Sequence, residues 1–110
     1  MISLEEMKKI QSELFAKASS LVEKKGHDYN FHQQLTGDTL FNLRVAKLLG
    51  ITENELKSVL VRLCDKLMRL ISFSDPRIIA SVKDESVEDT VVDILNYATF
   101  YYAFYKEKTK

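Results

Sequence analysis

Three glycines and one proline among 110 residues are the tightest constraint on what this chain can fold into. Tight turns draw on Gly for left-handed backbone and on Pro for a preset φ. An all-β fold, with a turn roughly every 8–12 residues, has too little of either here. Hydrophobic residues make up 45% and charged residues 29%, the balance of a folded chain and not of a disordered one. The length is that of one domain. The expectation is an all-α, compact, four-helix bundle-like single domain over residues 1–110.

Apolar spacing and capping residues place the helices. Ser3 with Glu6 three residues on is a capping box. Leu4, Met7, Ile10, Leu14, Ala18, Leu21 and Val22 follow at helical spacing. Lys24 and Lys25 suit the negative end of a helix dipole and Gly26 supplies a stop, so the first helix is predicted over 4–25. Residues 26–38 (GHDYNFHQQLTGD) read as a loop, long enough to suggest a functional one. A short helix over 39–49 runs from a cap at Asp38 to Gly50. Thr52 and Glu55 form a second capping box. Leu56, Val59, Leu60, Leu63, Leu67, Leu70 and Ile71 then give a long core stripe, predicting a helix over 53–72. Asp75-Pro76 breaks it. Around Ile78, Ile79 and Val82 a short extended piece or irregular connector is expected. Ser86, followed by Asp89, caps a last helix over about 87–107.

Charge and cysteine content exclude several functions. Sixteen basic and sixteen acidic residues give no net charge, which argues against a dedicated nucleic-acid-binding module, normally rich in bases, and leaves room for a local basic patch. Cys64 is the one cysteine, so neither an internal disulfide nor a Cys-based zinc site is available, which fits a reducing compartment. It sits beside Leu60 and Leu67 and is expected to be a buried packing residue. No apolar run reaches the roughly 20 residues that span a bilayer, and MISLEEMKK lacks the order of a signal peptide. A cytoplasmic protein that does not enter membranes is expected.

The last helix is unusual. Val87, Val91, Ile94, Leu95, Ala98, Tyr102 and Tyr105 cover one broad side. Asp89, Asp93 and Asn96 form a narrow stripe opposite, which continues not as polar residues but as Phe100 and Phe104. A helix apolar nearly all round is buried or at an interface, so its acids must be paired, metal-bound or neutralised. Glu85, Asp89 and Asp93 fall on successive turns, Glu88 adds a fourth acid, and residues 84–105 contain no Lys or Arg. Mg²⁺, which takes one or two carboxylates together with waters and phosphates, would relieve the repulsion. Helix capping by Asp89, with Asp93 on a basic partner, accounts for the same residues structurally.

The string VRLCDKLMRL supplies that partner. Asp65 joins the acids as a metal ligand while Lys66 and Arg69 meet phosphate, or the same face carries salt bridges that stitch two helices together. In KKGHDYN, Asp28 is a further acid and Tyr29 and Phe31 are candidates to stack on a base. His27 and His32 give a weak metal signal. Gly-rich phosphate loops, nucleophile elbows and paired-histidine zinc motifs are all missing.

KKGHDYN, DKLMRL and DESVEDTVVDILNYA, taken in this order, resemble the phage-associated nucleotide-modification-associated domain type 1 family. Its pattern is K-x-x-D-Y, then (D)-K-x-x-R-L, then E-S-x-x-D-T-x-x-D-x-x-N-Y. The matching positions are Asp28 and Tyr29; Asp65, Lys66, Arg69 and Leu70; and Glu85, Ser86, Asp89, Thr90, Asp93, Asn96 and Tyr97. The match covers about residues 22–102, with Asn30 where the pattern has Gly. The resemblance implies a nucleotide-related role in modified-base metabolism of a phage or prophage. The acidic pattern is also similar to all-α nucleotide pyrophosphatases of the MazG and dCTPase type. Those bind Mg²⁺ with acid pairs on two facing helices, the first reading ExxE, where this chain has Asp65 among bases.

Two functions are therefore expected to compete. In one, Glu85, Asp89, Asp93 and Asp65 hold Mg²⁺, Lys66 and Arg69 contact phosphate, and Asp28, Tyr29, Asn96 and Tyr97 contact a nucleotide. In the other the chain is a non-catalytic binding or interaction module, with Phe100, Tyr101, Phe104 and Tyr105 as a surface for a homo-oligomer or another protein.

Overall fold

Each of the four expected helices forms, and an extra turn of helix separates the last two. In the computed structural model the backbone is described for residues 1–29, 37–79 and 84–109, and side chains for 1–24, 37–78 and 86–109. Helix α1 spans Leu4–Tyr29, α2 Phe41–Leu48, α3 Glu55–Phe73, α4 Pro76–Ile79 and α5 Asp84–Lys108. Among the described residues there is no strand, and no helix is long and apolar enough to cross a membrane.

The local signals act mostly as the chemistry dictates. Ser3 Oγ accepts the Glu6 backbone N–H at 3.1 Å, starting α1. Gly26 does not stop it, and the helix continues four residues past the predicted end to Tyr29. A helical glycine costs only about 1 kcal/mol relative to alanine, which flanking turns can absorb. Asp38 is not the cap of α2: the helix runs from Phe41 to Leu48 rather than over 39–49, its cap is Leu40 with no side-chain hydrogen bond, and Asp38 Oδ1 accepts the Leu40 N–H at 3.0 Å in the turn before the helix. At the other end Gly50, at φ +75°, is a true stop. Its N–H reaches Lys47 O at 3.0 Å, and Ile51 N–H reaches Ala46 O at 2.9 Å, the paired bonds of a Schellman motif.

The cap of α3 is not Thr52 but Asn54, whose side chain accepts the Lys57 N–H at 2.9 Å. Thr52 Oγ1 instead pairs with Ser58 Oγ at 2.6 Å. Asp75 and Pro76 do break α3, yet they also start α4. Asp75 Oδ1 takes the Arg77 N–H at 2.8 Å, and Pro76 fills the first helical position, where its missing N–H costs nothing. Ile78 and Ile79 are thus helical rather than extended or irregular, while Val82 lies outside the described residues. Ser86 is not the cap of α5, because the helix begins at Asp84. Ser86 lies in its first turn and its carbonyl accepts the Thr90 hydroxyl at 2.9 Å.

Helix α5 is the centre of the fold. Helices α1 and α3 each pack against it, and among the described residues the backbones of α1 and α3 do not come close to each other. Helix α2 rests on α3. Asn96 Nδ2 donates to the Ala18 carbonyl at 3.1 Å, fastening α1 to α5. Among the described residues the buried apolar ones are Ala18, Val59, Val92 and Phe104.

Several predicted core residues are not in the core. Leu60, Leu67 and Ile71 of α3 are 45%, 49% and 63% exposed, and Cys64 between them is exposed as well. Leu4, Met7 and Ile10 are open too, because α5 covers the α1 stripe only around Leu14, Ala18, Leu21 and Val22. The radius of gyration is 16.2 Å and the extents are 46 × 29 × 29 Å, so the bundle is elongated.

Candidate functional site

The seam between α3 and α5 brings together the basic and acidic strings. On α3, Arg62, Lys66, Arg69 and Phe73 recur three or four residues apart along one edge. On α5, Asp89, Asp93 and Tyr97 fall on successive turns. The helix starts at Asp84, so Glu85 belongs to the turn before them. Lys66 Nζ stands 3.0 Å from Asp93 Oδ2, with the two side chains only 21% and 23% exposed. An acid this covered needs a cation or hydrogen-bond donors, and here it has a lysine. The paired, helix-stitching alternative thus describes Asp93.

Around this pair the remaining residues divide. Tyr97 is half-buried, with its ring edge-on to Phe100 at 6.0 Å and 83°. Asp65, Asp89 and Arg69 are exposed, and the Arg69 guanidinium lies 6.0 Å from the centre of the Phe73 ring. Asn96 lines the same helix, but its amide is committed to the Ala18 carbonyl of α1. Glu88 forms an ion pair with Lys17 of α1, and that contact raises the Lys17 pKa. The side chains of Asp28, Tyr29 and Glu85 lie outside those described, as do those of His27 and His32. The backbone at Asp28 and Tyr29 is the end of α1 and not a loop; residues 30–36 of the expected loop lie outside the described residues.

The donor set suits Mg²⁺ only in part. Among the described residues no three His, Cys, Asp or Glu side chains converge as a metal cage. Mg²⁺ does not need one, since it keeps several waters and takes one or two carboxylates with substrate phosphates. Asp89 and Asp93, one turn apart, supply that number, and Glu85 is on the turn before. Asp65 faces outward from α3 and would join only through a ligand.

A second cluster was not foreseen. Arg44 of α2 donates through Nε to Asp38 at 2.5 Å and through both terminal nitrogens to Glu107 at 2.7 Å each. It also lies 3.8 Å from Glu55, and its guanidinium covers the Phe104 ring at 4.9 Å. These partners are six to sixty-three residues away in sequence, and no spacing rule reaches that far. Glu55 is 9% exposed. Lys108 Nζ is 3.3 Å from its Oε2, which lacks a well-formed hydrogen bond. The cluster ties α2, α3 and the end of α5 together. Every one of its bases already faces an acid, so its chemistry is structural.

A hydrogen bond from its own backbone N–H holds the Glu55 carboxyl below its ordinary 4.5, Lys108 and Lys47 add to this, and burial opposes it. A depressed folded pKa gives stability that is present above the ordinary value and lost as pH falls through the folded one. Glu55→Gln should therefore melt below the wild type at neutral pH. The gap should close as pH drops below about 4.5. Thermal melts followed by circular dichroism from pH 7 to pH 3 check this; a gap that stays constant would remove Glu55 from the acid response.

Comparison with known proteins finds no family model, no curated protein and no solved structure that matches this chain. The functional reading rests on the seam itself.

Proposed function

We propose that the α3–α5 seam binds a nucleotide, or another small phosphate-bearing ligand, together with Mg²⁺. The observation that supports this is the Lys66–Asp93 pair at 3.0 Å. It sets the basic string of α3 against the acidic string of α5 at a half-covered position. Lys66 and Arg69 meet phosphate oxygens, with Arg suited to a two-pronged contact. Asp89 and Asp93, with Glu85 and Asp65, would hold the cation, which when bound screens phosphate charge and lowers the pKa of a bound water. Asp28, Tyr29 and Tyr97, with the side-chain oxygen of Asn96, whose Nδ2 is held by Ala18, are the proposed contacts to base and sugar. When phosphate takes the Lys66 ammonium, Asp93 is released for the cation, so one internal ion pair is exchanged for two ligand contacts. This reading goes with a phage- or prophage-encoded protein of modified-nucleotide metabolism that works in the host cytoplasm.

The test is a panel of ordinary and modified dNTPs with Mg²⁺, read by thermal shift, calorimetric titration and pyrophosphate release. A ligand at 100 times its Kd should stabilise the fold by about 2.7 kcal/mol. Asp93→Asn should abolish that shift while the protein remains helical. Release of pyrophosphate makes the protein a hydrolase of the pyrophosphatase type, and binding without turnover makes it a binding module. No shift and no turnover with any nucleotide overturns the proposal.

A further inference from the structure

Helix α3 runs antiparallel to α5, and two ion pairs set the register. Lys66 meets Asp93 at 3.0 Å, and Glu55 meets Lys108 at 3.3 Å. Counted from the first pair, Arg69 comes level with Thr90 and its neighbour Asp89, while Arg62 comes level with Tyr97. On a helical wheel Arg62, Lys66 and Arg69 fall within about 60° of one another. The three bases therefore form a single row along the seam, about 10.5 Å from first to last along the helix axis.

The row carries more positive charge than its surroundings neutralise. Among the described residues, Lys66 has a carboxylate while neither Arg62 nor Arg69 makes an ion pair. Arg69 rests against the Phe73 ring, with its guanidinium 6.0 Å from the ring centre. Opposite Arg62 the last helix has no charge to offer, because residues 94–105 contain neither acid nor base. The aromatic stripe expected there as a partner surface turns partly inward, since Phe104 is 1% exposed and belongs to the core. Both arginines are exposed, so water solvates them and neither demands a ligand by itself. Their alignment is the informative part. Like charges three and four residues apart repel along a helix, and one extended anion laid on the row relieves both repulsions together.

We infer that the row selects for phosphate number: the seam takes a chain of three phosphates in preference to one or two, with Arg62, Lys66 and Arg69 holding one each. The inference rests on the proposed reading of the seam as a phosphate site, and adds to it Arg62 and the class of ligand. A single phosphate can touch two neighbouring members of the row, but reaching all three takes a chain. The arginines at the ends supply two-pronged contacts and the lysine between them a point charge. What flanks each base sets the direction. Arg69 is level with Asp89, at the acidic end, and receives the terminal phosphate. Arg62 is level with Tyr97, a proposed contact to base and sugar, and holds the phosphate nearest the sugar.

The experiment is calorimetric titration of the whole chain in excess Mg²⁺. The probes are inorganic phosphate, pyrophosphate and tripolyphosphate, and the mono-, di- and triphosphates of deoxyadenosine and deoxyguanosine. Affinity should rise about tenfold from pyrophosphate to tripolyphosphate, the worth of one charge-assisted contact. Arg62→Gln should erase that step and leave pyrophosphate binding unchanged. Its position is exposed, so the helix content seen by circular dichroism should stay that of the wild type. Lys9→Gln removes the same charge from an exposed position on α1 and should alter none of the affinities. Tripolyphosphate held through Arg62 while no nucleotide binds keeps the inference and removes the nucleotide from the proposed function. Equal affinity for pyrophosphate and tripolyphosphate overturns the inference, as does a step that survives Arg62→Gln or that Lys9→Gln also removes. A nucleotide that binds equally well as mono-, di- and triphosphate overturns the inference alone and leaves the nucleotide reading standing. Silence with every probe overturns both.

Discussion

Phe104→Ala is expected to lower the unfolding free energy by about 3–5 kcal/mol, the usual loss when a buried aromatic ring is deleted. Phe104 is 1% exposed and the largest fully buried side chain among those described. Ala18, Val59 and Val92 accompany it among the buried apolar residues described, and these small side chains cannot extend to fill the space. Domains of this kind are held by only about 5–15 kcal/mol in all, and the variant should sit near its unfolding midpoint in mild urea. Urea melts at fixed protein concentration check it; the concentration must be held because association moves apparent stability. Phe104→Leu, which keeps most of the volume, should recover more than half of the loss. A loss below about 1 kcal/mol for the alanine variant would mean that the ring is not the keystone of the core.

The second large effect is expected above that ring. Arg44→Met should cost about 2–3 kcal/mol, less than the 3–5 of a fully buried pair, because the Glu107 side chain is 54% exposed. The guanidinium joins Asp38 and Glu107 by three hydrogen bonds, and these carboxylates hold its pKa above the ordinary value, Glu107 most of all. Removing it leaves Glu55, 9% exposed, with one cation fewer. Helix α2 has eight residues, none of them fully buried, too few to be stable by itself; its helicity should fall with the mutation. Arg44→Lys should recover little, since an ammonium cannot make the two-pronged contact. The ring and the guanidinium touch, so the double variant should lose less than the sum of the singles by about 0.5–2 kcal/mol. Additivity in urea melts would show that the stacking contributes nothing.

The parts of the fold legible in the sequence are those set by interactions within a few residues. The Ser3 cap, the Gly50 stop and the break at Asp75-Pro76 all depend on contacts spanning less than two turns. The shift of cap from Thr52 to Asn54, and the start of α5 at Asp84 ahead of Ser86, show the limit of that reading, since several nearby residues offer the same oxygen. Gly26 misled for a related reason: glycine permits a stop without requiring one. At the candidate site, the acids of α5 and the bases of α3 were legible as residues, and so was the need for Asp93 to find a partner. That the partner is Lys66, and that Asn96 serves α1, follows only from which helix faces which.

Helical periodicity marks an apolar face, and it does so correctly for Leu60, Leu67 and Ile71 as for Val59 and Leu63. It does not say whether this chain or another covers that face. The sequence by itself determined an all-α chain, the order and approximate limits of its helices, and a segregation of acids from bases on two of them. The tertiary structure alone decided that α5 is central, that Phe104 lies under Arg44, and that the outer side of α3 stays open. The physical reason is range. Caps and periodicity act over one or two turns of backbone, whereas burial depends on how long helices come to lie against one another across dozens of residues.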